Sequence, residues 1–156
     1  MRTRIVAIGD RMPAWIAEGF SEYARRVAHE MHLELIEIAS RRRAGERDPS
    51  RAIKAEGAAV LAAIPRDCHV VALDGAGNAW SSEHLARQLD GWRMQSRDLA
   101  LLIGGADGHD AQVLARADQR WSLGPLTLPH MLVRVLVAEQ LYRAVSILSH
   151  HPYHRG

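Results

Sequence analysis

The sequence holds one cysteine, one phenylalanine and, among its 20 basic side chains, one lysine, Lys54. Cys68 alone can form no intramolecular disulfide and supplies no thiolate set for zinc, which suits a reducing cytoplasm. Long uncharged apolar runs are missing as well. The most apolar stretch, residues 126–144, is broken by Arg134 and Glu139, which excludes a membrane span. The first residues, MRTRIVAIGD, give only a short apolar run before Asp10 and no small-residue cleavage site. They read as a strand, not a signal peptide. There is no low-complexity linker and no internal repeat, and 156 residues suit one domain spanning 1–156.

What is present is an ordinary globular composition, 47% hydrophobic and 24% charged, with a formal charge of +2. The basic residues are almost all arginine. Guanidinium binds phosphate bidentately and stacks on bases, so the bias fits an RNA partner. Codon preference in a GC-rich genome accounts for it equally well, and both readings stay open.

Strand-like and helix-like segments alternate. Residues 4–8 read as a strand ended by Gly9, and Pro13 opens a helix with Trp15, Ile16, Phe20, Tyr23 and Val27 along one stripe. A strand over 33–38, a charged loop RRRAGERD over 41–48 and a helix from Asp48-Pro49 to about 64 follow. Residues 69–73 form an apolar strand that runs into a turn, DGAGN. Ser81 then caps a third helix. A strand over 99–103, a short helix over 111–117 and a short strand over 120–123 lead to the long apolar helix from His130. The alternation predicts an α/β domain with a mostly parallel sheet and helices on both faces.

Ligands of open α/β sheets sit at the carboxyl ends of strands. Three predicted strand ends carry Gly- or Pro-rich loops: LDGAG from Leu73, IGGADG from Ile103, and LGPLTLP from Leu123. Together they would make a pocket lined by backbone groups and walled by Leu73, Leu126 and Leu128, suited to a flat purine. None is G-x-G-x-x-G or a P-loop, so a Rossmann-type dinucleotide or class I methyltransferase site is unsupported. The tail SHHPYHR places His150 and His154 at i, i+4, but Pro152 disfavours a regular helix between them and no carboxylate is near, which speaks against metal. Its aromatic, imidazole and guanidinium groups suit RNA, and a solvated terminus is the plain alternative. Ser122, His130 and Asp107 could be drawn as a triad, but no G-x-S-x-G elbow supports it.

The stretches GDRMPAWIAEGFSEYARR, ELIEIA, LDGAGNAWSSEHLA, LLIGGADG, WSLGPLTLPHMLVRVLVAEQLYRA and HPYHR, in order and across nearly the whole chain, resemble the ribosomal RNA large subunit methyltransferase H family of the SPOUT class. One departure is the loop after Ile103, which reads G-G-A-D-G where that family has G-G-P-E-G. The resemblance implies a deep trefoil knot within roughly residues 70–156, a rare exception to unknotted folds. It implies S-adenosylmethionine as methyl donor, no metal, and a homodimer methylating N3 of a pseudouridine in 23S rRNA within the ribosome, with no membrane or DNA partner. Carried over by position, Leu73, Gly104, Leu123, Gly124, Pro125, Leu126, Thr127 and Leu128 are expected to hold the cofactor. His130, Tyr153, His154 and Arg155, with Arg134 as second choice, are expected to serve chemistry and base positioning. The apolar last helix is expected to pack on the sheet with one side and on its copy with the other, Val137 lying in that seam. Glu139 and Arg143 are spaced to pair, and Arg41 to Arg43 and Arg47 are candidate phosphate contacts.

Overall fold

The computed structural model describes residues 1–155; Gly156, the last residue of the expected domain and knot, lies outside them. Five strands and five helices alternate: β1 (Arg2–Ile8), α1 (Ala14–Val27), β2 (His32–Ile38), α2 (Ser50–Ala63), β3 (His69–Ala79), α3 (Ser82–Met94), β4 (Leu99–Ile103), α4 (Ala111–Arg116), β5 (Gln119–Ser122) and α5 (His130–Leu148). A 3₁₀ turn, Pro152–Arg155, ends the described chain. The strands form one sheet in the order β2-β1-β4-β3-β5, every pairing parallel. The predicted α/β layering, a parallel sheet with helices on both faces, is the observed one.

The strand sequences explain the layering. Successive side chains in a strand point to opposite faces, and a parallel sheet covered on both sides needs apolar residues on each. Ile5, Ala7, Val71, Leu101 and Ile103 share one core with Phe20 of α1, Leu85 and Leu89 of α3, and Leu141 of α5. Their strand neighbours Val6, Ile8, Val70, Ala72 and Leu102 share the other with Val60 of α2 and Val113 of α4. No helix among the described residues is long and apolar enough to cross a membrane.

Two expectations are corrected. The DGAGN segment is no turn: β3 continues through it to Ala79, and Leu73 and Asn78 both pair with Trp121 of β5 across a bulge. Gly77 is required there, because a Cβ would lie 2.7 Å from the Arg120 carbonyl oxygen. The Gly and Asp residues that favour a turn here supply a detour within the strand. The second correction concerns α5, which packs between α1 and α3 of its own protomer. Val137 is 0% exposed in the single chain, so it belongs to the protomer core and not to a seam between copies. Glu139 and Arg143 do pair, with Oε1 accepting from Nη2 at 2.7 Å.

Candidate cofactor cavity and catalytic residues

The bulge of β3 after Leu73 and the loops at the carboxyl ends of β4 and β5 enclose one cavity of about 420 Å³. Six of the eight residues expected to hold a cofactor line it: Leu73, Gly104, Leu123, Gly124, Leu126 and Leu128. Pro125 and Thr127 belong to the same loop but are exposed and do not line the cavity. Leu126, at 76% exposed, stands at the rim.

Local chemistry shapes each loop. After β4 the chain turns tightly, the Gly108 N–H donating to the Gly105 carbonyl at 3.1 Å. A Cβ on Gly104 would sit 3.1 Å from the carbonyl carbon of Gly108, so only glycine fits that approach comfortably. Asp107, at the tip, accepts from Arg42 Nη1 at 2.6 Å. After β5, Gly124 takes φ +110° while its N–H donates to Ser122 Oγ at 3.1 Å. Pro129 then precedes α5, whose first residue, His130, lines the cavity. Ser122 and Asp107 thus have other partners, and no hydrogen bond joins either to His130 among the described residues.

His109 is a lining residue that sequence reading missed. Its Nε2 lies 3.0 Å from the Leu73 carbonyl, which can only accept, so Nε2 carries the proton. Burial pushes the imidazole pKa down and keeps the ring neutral, and Nδ1 is buried without a partner. The only sequence signal was its place in a Gly-rich loop at a strand end.

Arg134, the second-choice catalytic residue, is otherwise engaged. It is 0% exposed. Nη2 donates to the carbonyls of Gly9 at 2.6 Å and Ile8 at 3.3 Å, and Nη1 to Glu37 Oε2 at 2.7 Å. A long cation thus closes the end of β1 and ties α5 to β2.

The tail lies elsewhere. Tyr153 OH donates to Glu139 Oε1 at 3.0 Å and lies 3.2 Å from Tyr23 OH. Its ring packs 4.5 Å from Tyr142, with the Arg143 guanidinium 4.9 Å from its centroid. Burial, then the hydrogen bonds to Tyr23 and Glu139, push the phenol pKa well up, so Tyr153 stays protonated. It anchors the tail. His154 Nδ1 is buried without a partner, and Arg155 is exposed. From His130 to Glu139 and Tyr142 the helix rises about 14 to 18 Å. Cavity and tail therefore sit at different heights of α5 in one protomer. Among the described residues no three His, Cys, Asp or Glu side chains gather as a metal site.

Comparison with known proteins agrees with this layout. The family described as "Predicted SPOUT methyltransferase" matches residues 1–154. The ribosomal RNA large subunit methyltransferase H of Xanthomonas campestris pv. campestris (strain B100) is 57% identical over 156 residues, covering 100% of both chains. Among solved structures, a methylase family protein from Neisseria gonorrhoeae superposes with TM-score 0.54 at 13% identity, over 96% of this chain and 94% of that one. The methyltransferase Lpg2936 from Legionella pneumophila, solved with the bound cofactor SAM, gives TM-score 0.51 at 11% identity, over 92% of this chain and 66% of that one. These two share the fold. On the full-length relative and the family match together, the chain belongs to the SPOUT methyltransferases.

Proposed function

We propose that this methyltransferase moves the methyl group of S-adenosylmethionine to N3 of a pseudouridine in 23S rRNA, as a cytoplasmic homodimer acting on the assembled ribosome. The observation that carries the donor site is the convergence of the β3 bulge and the ends of β4 and β5 on one cavity of about 420 Å³, within the range of small-molecule sites. The residues fit the donor. Leucines at 73, 126 and 128 wall a purine, the Gly104 cradle leaves room for close backbone approach, and backbone groups of Gly104, Leu123 and Gly124 read its edge. The substrate follows from the printed name of the full-length relative and from the family resemblance.

Bound there, the donor supplies a methyl group already made electrophilic by its sulfonium. The protein has two tasks left, to align the attacking nitrogen and to favour its deprotonated form. Arg155, exposed on an anchored tail, stabilises the anionic ring. His130 at the cavity and His154 beside Arg155 are the imidazoles available to receive the N3 proton. Because the tail docks so far along α5 from its own cavity, the second protomer's tail closes each site. The same proposal includes a deep knot in the C-terminal half, which would hold the loops after β4 and β5 together.

Transfer of a tritiated methyl group to ribosomes, with naked transfer RNA as competitor, tests the substrate; labelling only of transfer RNA would overturn it. Mixing protomers tests the shared site. Gly104→Val chains and Arg155→Ala chains are each expected to be strongly impaired, and co-refolding them is expected to restore activity in the one intact composite site. No recovery in verified mixed dimers would place the tail in its own protomer's site.

A further inference from the structure

The loop over residues 41–48 reads in sequence as a solvated charge run, yet it is tightly built. Glu56 Oε2 accepts from the Arg41 N–H at 2.9 Å, and Arg51 Nη2 donates to the Arg41 carbonyl at 2.6 Å. Glu46 accepts from Arg51 Nε at 2.9 Å and from the Arg43 N–H at 3.1 Å. Within this frame the side chains of Arg41, Arg43 and Arg47 are exposed and make no hydrogen bond among the described residues. Arg42 differs. Its Nη2 donates to the Glu46 carbonyl at 3.0 Å, and its Nη1 reaches across the fold to Asp107 Oδ2 at 2.6 Å.

Asp107 sits at the tip of the 105–108 turn that lines the cavity. Little else fixes that tip. Ala106, Asp107 and Gly108 are exposed, and flexible glycines flank the turn on both sides. The turn's own bond, from the Gly108 N–H to the Gly105 carbonyl, holds its base and not its tip.

We propose that Arg42 is a positioning residue for the methyl donor: acting through Asp107, it fixes the 105–108 turn against the cavity and couples that turn to the arginine loop offered to RNA phosphates. The inference rests on the reading of the cavity as donor site. It assigns a role to a guanidinium that touches neither donor nor reacting base. Both side chains of the pair are about a third exposed, at 36% and 37%, so its effect is modest and screened by salt.

The test is calorimetry of S-adenosylhomocysteine binding without RNA, alongside thermal melting. Arg42→Ala and Asp107→Asn are each expected to weaken binding about threefold with an unchanged melting temperature. The swapped pair, Arg42→Asp with Asp107→Arg, is expected to recover most of that loss, which a simple loop defect would not. Added sodium chloride is expected to weaken wild-type binding more than that of either single variant. Wild-type binding with unchanged affinity in Arg42→Ala, or failure of the swap to recover it, overturns the inference alone. Absence of binding by the wild type overturns the donor-site reading, and the inference with it.

Discussion

Arg134→Met separates a catalytic from an architectural role for the most deeply buried cation of the chain. Methionine keeps the apolar stem and the volume but removes every donor. The Gly9 and Ile8 carbonyls lose donors at 2.6 and 3.3 Å, and Glu37 loses its 2.7 Å partner. A hydrogen bond from a charged group is worth about 1.5–3 kcal/mol, and breaking a buried pair about 3–5 kcal/mol. Glu37 moderates the loss, since its side chain is 33% exposed and water can solvate it once released. The buried carbonyl contacts therefore dominate, and about 3 kcal/mol is expected. For a domain of this size each kcal/mol lowers the melting temperature by about 2–4 °C, so the variant is expected to melt about 10 °C lower. Circular dichroism melting gives that number, and single-turnover methyl transfer well below the transition gives the other. Activity per folded molecule is expected to stay within about tenfold of wild type, a loss of about 1.4 kcal/mol. A melting temperature within about 2 °C of wild type with transfer reduced by about a thousandfold would refute the architectural role and return Arg134 to the chemistry.

Gly104→Val forces a branched side chain toward the Gly108 backbone, which a Cβ alone approaches at 3.1 Å; calorimetry is expected to find donor-product binding lost while the dimer persists. Removing the chain from Tyr153 onward is expected to leave product binding near wild type while ribosome methylation collapses, and Arg155→Ala alone to cost about a hundredfold in rate, measured by tritium incorporation. Glu46 gives a pH signature. Its hydrogen bonds to Arg51, then to the Arg43 N–H, hold its pKa at about 2, below the ordinary 4.5. A depressed pKa stabilises the loop above the ordinary value, and that stabilisation fades as pH falls toward 2. Carbon-13 titration of the Glu46 carboxyl is expected to show a midpoint near 2 in the wild type and a higher one in Arg51→Ala, still below the ordinary value because the Arg43 N–H bond remains. An ordinary midpoint in the wild type would mean that the loop is not built as described.

The layering was legible because it rests on local signals. Period-two apolar strands, Pro13 and Pro129 before helices, and Ser81 accepting from the His84 N–H at 3.1 Å can each be read from a short window. The long β3 was not legible, because glycine and aspartate mark a turn and a bulge alike. Only the second pairing register with β5 decides between them. Position Val137 failed for a related reason. An all-round apolar helix must bury two sides, but its sequence does not say whether the second cover is a neighbouring helix or a copy of the chain.

Two walls of the cavity were legible for the same reason as the strands: a loop at the carboxyl end of β4 or β5 has one place to go, whereas the third wall is the bulge inside β3. What escaped were contacts whose partners lie far apart in the chain. Arg42 and Asp107 are 65 residues apart, and Arg134 and Gly9 are 125 apart. Neither pair has a spacing that a sequence window can show. An arginine offers donors to any acceptor within reach, so neither the resemblance that made Arg134 a catalytic candidate nor the charge run that made Arg42 a phosphate contact specifies its partners. Burial separates them. Arg134, wholly enclosed with carbonyls on one side and a carboxylate on another, holds the frame on which His130 begins α5. Arg42 keeps 36% of its side chain in water, so a phosphate can still compete for it. That residual exposure is what the proposed double role of Arg42, between phosphate and the 105–108 turn, requires, and it is closed to Arg134.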